Sequence, residues 1–383
     1  MKLLRRISAI LIFILFASAL QSTEKPKQAE IWPLWENYKH RFIRSDGRVV
    51  DWHLNERTTS EGQAYALFFA LVANDRETFK KVLQWTQDNL AHGNLREQLP
   101  SWLWEENSSA AGSVQDFNSA SDADLWIAYS LTFAGHAWDS AEYKSLGLFL
   151  AERIAKEEVV EFPNDSRMLM PGRQGFQPDS QSFIVNPSYL PPEVLNGMSA
   201  EFPRGPWKQI ATNLPFLLAP RVGNGFAMDW VEYQTNIGYK ATAGPSATEG
   251  GSYDAIRVYL WAGMLDPLSP GFKELMESLS GMDQYMRTHS VPPERVGPTG
   301  TVISDHGPVG FSAAMIPFLF ANGNVRAGQE QQARLQRERS EVTGLYGKDP
   351  RYYDQNLALF SEGWIDGRFH FDACGRLWLR WRK

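Results

Sequence analysis

Residues 120–131 read ASDADLWIAYSL and place two acids, Asp122 and Asp124, where a polar run meets an apolar helical pattern. The apolar residues recur at helical spacing, which predicts a helix with one side in the core. Both acids then lie in the first turn, where the helix dipole favours negative charge. Three nearby residues have side-chain oxygens that could accept the free N–H groups of that turn, which makes them candidate N-caps: Asn118, Ser119 and Ser121.

The same periodicity recurs along most of the chain and predicts an all-α fold. The helices come in pairs with short links, as two concentric rings of helices would require. Gly-, Pro-, Ser- and Asn-rich stretches at 162–192 and 238–251 are predicted as long loops, and short strands are expected only near 48–52 or 368–379. The further predicted helices are Trp35–Ile43, Glu61–Ala73, Arg76–Leu90, Ser140–Lys156, one opened by Gly205-Pro206, Tyr253–Met264, Pro270–Met286, Phe311–Ala321, Val325–Ser340 and Tyr352–Gly363.

The first twenty residues have the pattern of a cleavable export signal. A basic start precedes the apolar run 7–16, and Ala17-Ser18-Ala19 gives an A-x-A cleavage pattern. The run is shorter than the roughly 20 residues that span a bilayer, although an uncleaved anchor is the alternative. The sequence therefore predicts a signal peptide over 1–20, one domain over 21–383, and a mature protein that is periplasmic or secreted.

Composition excludes several classes of function. The 383 residues include 38 basic and 44 acidic side chains, for a net charge of −6, which argues against nucleic acid and polyanionic partners. Seven histidines without metal-ligand spacing and a single cysteine, Cys374, predict no metal site and no intramolecular disulfide. Because nucleotide-binding and serine-hydrolase motifs are also missing, no cofactor is expected. The 14 Trp residues are expected mostly in the core.

Three acids occupy the same kind of position in the chain. Glu61, Asp122 and Asp254 each stand where a predicted helix begins. If those helices run parallel in a ring, the three carboxylates converge in one cleft. Each also has a purely structural explanation: Glu61 fits a capping box with Thr58, Asp122 can improve a helix start, and Asp254 can pair with Arg257.

Two carboxyl groups that flank a bond are the minimal machinery for hydrolysing a glycoside. One is protonated and donates to the leaving oxygen; the other is ionised, and in inverting enzymes the two stand about 6.5–9.5 Å apart. A helix N-terminus lowers a carboxyl pKa, so a general acid at Glu61 needs burial or nearby acids to raise it. An ionised Asp122 and the rings of Trp102 and Trp104 are the expected sources.

At these residues the chain resembles glycoside hydrolase family 8, and the resemblance spans nearly all of the predicted mature chain. The family signature, A-[ST]-D-[AG]-D followed by I/M-A and A-x-x-x-W, is similar to residues 120–138, with Thr132 as a mid-helix departure. The strings TSEGQ at 59–63 and SYDAIRV at 252–258 also match. NPSYLPP at 186–192 and GPVGFSAA at 307–314 resemble the subgroup encoded beside bacterial cellulose synthase.

The resemblance implies an (α/α)6 barrel with an inverting, endo-acting site. It implies Glu61 as general acid, Asp254 as general base, and Asp122 as a third carboxylate that holds the distorted sugar and helps to order the water. Arg257 would orient Asp254 or a sugar hydroxyl, and Asp124 would support the site or cap a helix. Four aromatic residues are candidates for sugar stacking, with core packing as the alternative for each: Trp102, Trp104, Tyr189 and Tyr253.

The resulting hypothesis is a monomeric endo-1,4-β-glucanase that cuts cellulose and trims it during synthesis. A candidate partner is the cellulose synthase complex, on the resemblance alone. A chitosanase or xylanase on the same barrel is the first alternative, since cationic chitosan would suit an acidic cleft. A non-catalytic polysaccharide-binding component of cellulose export is the second, and the presence of all three carboxylates argues against it. A polysaccharide lyase would require more basic residues.

Overall fold

The computed structural model describes residues 31–106, 112–162, 166–246 and 248–382. The predicted export signal over 1–20 lies outside these ranges and stays a prediction. The described residues form fourteen α-helices: α1 Pro33–Phe42, α2 Ser60–Val72, α3 Arg76–Leu90, α4 Ser121–Trp138, α5 Ala141–Glu157, α6 Pro192–Glu201, α7 Trp207–Leu217, α8 Pro220–Gly223, α9 Ala255–Met264, α10 Phe272–Ser278, α11 Ser280–Met286, α12 Val309–Ala321, α13 Val325–Arg337 and α14 Tyr352–Ile365.

Six helices form a closed inner ring. Each packs against the next in the order α2, α4, α6, α9, α12 and α14, and α14 packs back against α2. An outer helix covers each of them: α3 on α2, α5 on α4, α7 on α6, α10 on α9, α13 on α12 and α1 on α14. The predictions of an all-α class and of an (α/α)6 barrel with paired inner and outer helices are therefore confirmed.

Hydrophobic patterning explains which helices lie inside. In α2 and α12 nearly every side chain is buried, whereas α13 buries only four of its 13 residues. A helix that is apolar on all sides is stable only when it is surrounded, and an amphipathic helix suits the outer layer. Trp126 of α4 packs against Phe68, Phe360 and Trp261 at ring-centroid distances of 4.9, 5.2 and 5.4 Å, so much of the Trp surplus serves the core.

Short strands decorate the barrel as five antiparallel sheets of two or three strands in the described residues. The hairpin β11–β12 confirms the strands predicted near 368–379, but 48–52 forms only isolated bridges. The strands are β1 Thr58–Thr59, β2 Leu103–Glu105, β3 Ser113–Asp116, β4 Val159–Glu161, β5 Arg167–Leu169, β6 Ser182–Val185, β7 Val231–Gln234, β8 Gly238–Ala241, β9 Arg295–Val296, β10 Val302–Ser304, β11 Phe369–Phe371 and β12 Leu377–Leu379.

Several elements differ from the sequence-based expectation. Helix α6, a member of the inner ring, was not predicted, because it is short and follows two prolines with few apolar residues. The single helix expected over Pro270–Met286 is two helices that meet at Leu279. The loops expected at 162–192 and 238–251 contain strands β5, β6 and β8. β5 and β8 form local hairpins with β4 and β7, whereas β6 pairs with the distant strand β7, which local periodicity does not reveal.

Thr132, the departure from the family signature, fits a close contact between α4 and α5. Its hydroxyl donates to the carbonyl of Ala128 at 2.8 Å, and a Cβ added at Gly147 would lie 2.4 Å from Thr132 Oγ1. A glycine at 147 therefore lets the two helices approach at Thr132. Among the described residues, no helix combines the length and the apolarity that crossing a membrane requires.

Candidate active site

Glu61 lies in the first turn of α2 with its side chain directed towards the other acids. The N-cap is Thr59, whose Oγ1 accepts the Gly62 N–H at 3.2 Å, so the capping box expected from Thr58 to Glu61 is wrong. The Thr58 hydroxyl instead donates to the carbonyl of Val49 at 2.7 Å. Since the cap does not use Glu61, its carboxylate is available to the cleft.

Gly62 is required by a close approach. A Cβ at this position would lie 2.6 Å from Oη of Tyr352 on α14. A side chain here would clash with the Tyr352 ring, one residue after Glu61.

Asp122 lies in the first turn of α4, as expected, but the helix start is built differently. The N-cap is Ala120, without a side-chain cap, and Asp122 Oδ1 accepts the Ala123 N–H at 2.8 Å. The predicted capping roles of Asn118, Ser119 and Ser121 are therefore wrong. The Ser119 hydroxyl donates to Glu158 instead.

A short segment at Trp102 ties the starts of α2 and α4 together. The Ser60 N–H donates to the Trp102 carbonyl at 3.0 Å, and the Trp102 N–H donates to the Asn118 carbonyl at 2.8 Å. These two backbone bonds link the segment that carries Glu61 to the segment that carries Asp122.

Asp254 is the N-cap residue of α9, but its side chain caps nothing. The cap comes from Asp229, whose Oδ1 accepts the N–H groups of Ser252, Asp254 and Ala255 at 2.8, 3.1 and 2.7 Å. Burial, followed by the charge of Asp254, raises the pKa of Asp229 to about 6. Sequence analysis missed Asp229, because 25 residues separate it from the helix that it caps.

Replacing Asp229 with Ala is expected to remove that cap and to displace Asp254. We expect a loss of about 1–2 kcal/mol in unfolding free energy, as for other N-cap deletions, and up to about 10²-fold lower kcat, because catalytic groups tolerate little misplacement. Asp229→Asn keeps the accepting oxygen and is expected to stay within about threefold of wild type. Equal kcat in the Ala and Asn variants would contradict the capping role.

Arg257 is the centre around which the three acids meet. Its Nη1 lies 3.2 Å from Glu61 Oε2, and its Nη2 lies 2.8 Å from Asp254 Oδ1 and 3.8 Å from Asp122 Oδ2. The predicted convergence of the three carboxylates is thus confirmed. The size of the planar guanidinium limits the separation between Glu61 Oε2 and Asp254 Oδ1 to about 8 Å, which overlaps the range of inverting glycosidases.

Two further contacts fix the guanidinium. Nη2 donates to Ser188 Oγ at 2.9 Å, and Nη1 donates to Tyr353 Oη at 3.4 Å. The Tyr353 hydroxyl donates in turn to the backbone carbonyl of Tyr253. Tyr353 is a site residue that the sequence did not reveal, since it lies in the first turn of a helix of otherwise ordinary composition.

The electrostatics shift Glu61 towards its protonated form. Burial raises its pKa most; Arg257 and Arg57 oppose this, and the neighbouring charges of Asp254 and Asp51 raise it further. Burial also raises the pKa of Asp122 to about 7, again opposed by Arg257 and assisted by Glu61. Three acids that meet around one buried guanidinium ionise less readily than free carboxyl groups, which favours retention of a proton among them.

The source of the Glu61 shift differs in part from the expectation. Asp254 and Asp51, rather than Asp122, are its main acidic neighbours. Trp104 is 7% exposed and packs edge-on against Trp85 at 5.4 Å, with the Arg48 guanidinium 4.2 Å from the centre of its ring. Core packing, the second of the two roles considered for Trp104, therefore fits its position better than stacking on a sugar.

The other three aromatic candidates remain accessible. Trp102 and Tyr189 are half-buried, and Tyr253 is 44% exposed with its hydroxyl donating to Glu294 Oε1 at 3.1 Å. The Tyr189 ring lies 5.8 Å from the Arg257 guanidinium carbon and 6.2 Å from the ring of Trp230. Tyr189 thus borders the carboxylates directly.

As the structure describes them, the acids of the site are not arranged as ligands of a metal ion. Within the described ranges, no group of three or more His, Cys, Asp or Glu side chains has the geometry to hold a metal ion. Asp122, for example, faces a guanidinium and a backbone N–H. The chemistry available here is proton transfer between carboxyl groups and a bound substrate or water.

Comparison with known proteins identifies close relatives over most of the chain. Residues 5–367 match the family described as Glycosyl hydrolases family 8. The chain is 42% identical over 358 residues to an endoglucanase of Xanthomonas axonopodis pv. citri (strain 306), covering 93% of this chain and 91% of that protein. It is 40% identical over 353 residues to an endoglucanase of Escherichia coli (strain K12), with 91% of each chain covered.

Solved structures agree with the fold. The endo-1,4-D-glucanase from Vibrio fischeri ES114 superposes with a TM-score of 0.83 at 37% identity, covering 92% of this chain and 100% of that chain. A cold-adapted family 8 xylanase superposes with a TM-score of 0.67 at 16% identity, covering 87% and 90% of the two chains, which shows a shared fold alone.

Proposed function

The chain belongs to family 8 of the glycosyl hydrolases, and on that premise we propose that it is an inverting endo-1,4-β-glucanase in which Glu61 is the general acid and Asp254 the general base. The family and the endoglucanase relatives support the reaction. One structural observation supports the residue roles: three carboxylates from three inner helices meet around Arg257. Their separation and the raised pKa of Glu61 suit a protonated donor at Glu61 opposite a base at Asp254.

The proposed reaction takes place in one displacement. Glu61 donates its proton to the glycosidic oxygen as the bond from the anomeric carbon to that oxygen breaks. A water attacks the anomeric carbon from the opposite face and transfers a proton to Asp254. The products are two shorter glucan chains, and the configuration at the cleaved carbon is inverted. Asp254, with its side chain 27% exposed, is open enough to hold a water.

Asp122 is proposed to hold the sugar at the cleaved bond and to help order the attacking water. It is 3% exposed and is fixed by the Ala123 N–H and by Arg257, so its carboxylate has little freedom. In its ionised form, a carboxylate that is held in this way stabilises the oxocarbenium-like transition state. Arg257 contacts all three acids and fixes their positions relative to one another. Tyr189 and Tyr353 border the same space.

The substrate is a β-1,4-glucan, and cellulose is the proposed natural form. We propose a periplasmic or secreted enzyme that trims cellulose during its synthesis, with the synthase complex as a candidate partner. The N-terminal export pattern and the strings at 186–192 and 307–314 support this. We also propose a single catalytic domain over 21–383, since α1 to α14 complete one barrel, and a monomer.

The polysaccharide preference is tested by measuring viscosity and new reducing ends on carboxymethyl cellulose, xylan and chitosan. The proposal predicts a fast loss of viscosity on carboxymethyl cellulose with few new ends, because internal cuts shorten chains most effectively. Preference for chitosan or xylan would mean that the proposed substrate is wrong, while the proposed hydrolysis of a glycosidic bond would still stand. A folded chain that binds cellulose and cuts none of the three would favour the non-catalytic alternative.

A further inference from the structure

The string NPSYLPP at 186–192 forms a tight turn that is anchored to α9. Asn186 begins a short 3₁₀ helix over Pro187–Tyr189, and its Oδ1 accepts the Ser188 N–H at 3.0 Å. The Trp261 Nε1–H group donates to the Ser188 carbonyl at 3.0 Å, which ties the turn to the helix that carries Arg257. Asn186 and Ser188 are each 1% exposed, so both lie beneath the surface.

The Ser188 hydroxyl has one proton, and Asn186 accepts it. Ser188 Oγ donates to Asn186 Oδ1 at 2.7 Å, so only its lone pairs remain for other partners. One of these lone pairs accepts from Arg257 Nη2 at 2.9 Å. The amide of Asn186 therefore orients the hydroxyl as an acceptor that faces the guanidinium.

The number of N–H groups on Arg257 limits how many acids it can bind by hydrogen bonds. Nη2 carries two N–H groups. It donates to Ser188 Oγ at 2.9 Å and to Asp254 Oδ1 at 2.8 Å, whereas Asp122 Oδ2, at 3.8 Å, lies beyond hydrogen-bonding distance. Ser188 thus occupies an N–H group that could otherwise turn towards Asp122.

Ser188 is also held rigidly relative to the guanidinium. Arg257 and Trp261 stand four residues apart on α9, on the same face of the helix, and both contact Ser188. Trp261 fixes the backbone of the serine, while Asn186 fixes its hydroxyl. The other uncharged partner of the guanidinium, Tyr353 Oη, accepts from Nη1 at the longer distance of 3.4 Å. Ser188 is therefore the closer of the two uncharged groups that hold the guanidinium.

Resting on the reaction proposed above, we propose that Ser188 is a positioning residue for the general base: its hydroxyl, oriented by Asn186, directs the Arg257 guanidinium towards Asp254 and away from Asp122. When the hydroxyl is absent, the released N–H group of Nη2 turns towards Asp122 and the contact with Asp254 weakens. The carboxylate that accepts the proton of the attacking water then loses its fixed orientation, and misplacement of a catalytic group slows the chemical step.

Ser188→Ala removes the acceptor and leaves the backbone contacts of the turn in place. We expect kcat on carboxymethyl cellulose to fall about tenfold, because a hydrogen bond to a charged group commonly contributes that factor or more. KM is expected to stay within about twofold of wild type, because the serine lies beneath the surface and leaves substrate binding unchanged. Steady-state kinetics of the purified variant measure both constants.

Ser312 provides a matched control, since it is also buried and makes the same two kinds of contact elsewhere in the barrel. Its hydroxyl donates to Gln331 Oε1 at 2.7 Å and accepts from Arg334 Nη1 at 2.8 Å. Ser312→Ala therefore removes an equivalent hydrogen-bonded link, here between α12 and α13. It is expected to lower the unfolding free energy about as much as Ser188→Ala does, and to leave kcat within about twofold of wild type.

A double-mutant cycle with Arg257→Lys tests whether Ser188 acts through the guanidinium. Lysine has a compact ammonium in place of the planar fork, so the Ser188 hydroxyl has no fork to orient. Ser188→Ala is expected to change kcat by less than about twofold in the Arg257→Lys background, against about tenfold in the wild-type background. An activated cello-oligosaccharide with a phenol leaving group keeps the rates of the slower variants measurable. Non-additivity of this kind indicates that the two side chains act as one unit.

Two results would overturn the inference. One is a Ser188→Ala variant whose kcat stays within twofold of wild type, and the other is an equal loss of kcat in both backgrounds of the cycle. If Ser188→Ala does not fold, Asn186→Ala removes the acceptor that orients the hydroxyl and is taken through the same cycle with the same expectation. A wild-type enzyme that is inactive on all three polysaccharides would instead reject the proposed function. The cycle measured in unfolding free energy would then still test the contact between Ser188 and Arg257.

Discussion

Glu61→Gln lowers kcat on carboxymethyl cellulose by about 10²–10⁴-fold with KM little changed, which is the usual contribution of general acid catalysis. Gln keeps the shape of Glu and can still contact Arg257, but it has no acidic proton to transfer to the leaving oxygen. The loss is therefore expected in the chemical step. Because burial raises the pKa of Glu61, the wild-type kcat should fall as pH rises through that pKa and the acid loses its proton.

An activated substrate makes this prediction specific. A cello-oligosaccharide with an acidic phenol as leaving group requires little protonation, so Glu61→Gln should recover most of its activity on it. Glu77→Gln is a matched control, since Glu77 is exposed on α3, away from the site, and pairs with Lys81. An unchanged kcat in Glu61→Gln, or an equal loss on both substrates, would exclude Glu61 as the acid.

Asp254→Asn is expected to lower kcat by about 10²–10⁴-fold for a different reason. Asn can still accept from Arg257 Nη2, so the guanidinium and the other two acids stay in place, but an amide cannot take a proton from water. The attack on the anomeric carbon then slows for every leaving group. The activated substrate should therefore not rescue this variant.

The opposite response of the two variants separates acid from base. Asp139→Asn serves as the control, because Asp139 follows the C-terminal end of α4, is exposed, and adopts a left-handed conformation that Asn tolerates. Rescue of Asp254→Asn by the activated substrate would mean that Asp254 assists the leaving group, and the two roles would have to be exchanged.

Sequence patterns predicted the barrel well because its inner helices are unusually apolar. The periodicity around Phe68 and Trp126 predicted helices with one side in the core, whereas both helices are buried on nearly all sides. Pairing with short links indicated two layers. Helix α6 was not predicted, since it has few apolar residues and is stabilised by its neighbours in the ring. The N-cap role predicted for Ser119 was wrong, because its hydroxyl donates to Glu158, which is remote in the chain.

The sequence predicted those site residues that stand at the start of a predicted helix. It did not predict those that reach the site through contacts with residues far away in the chain. Glu61, Asp122 and Asp254 share a local signature, so their convergence follows from parallel inner helices. Asp229 contacts Asp254, which is 25 residues away in the chain, and Tyr353 contacts Arg257, which is 96 residues away. No local pattern records such contacts.

The proposed single displacement is tested most directly by the configuration of the first product. Proton NMR during the hydrolysis of a cello-oligosaccharide distinguishes the two anomers before they interconvert. A water activated by Asp254 on the face opposite the leaving group predicts an α-anomer at each new reducing end. A β-anomer would require a covalent intermediate and would contradict the roles proposed for Glu61, Asp254 and Asp122.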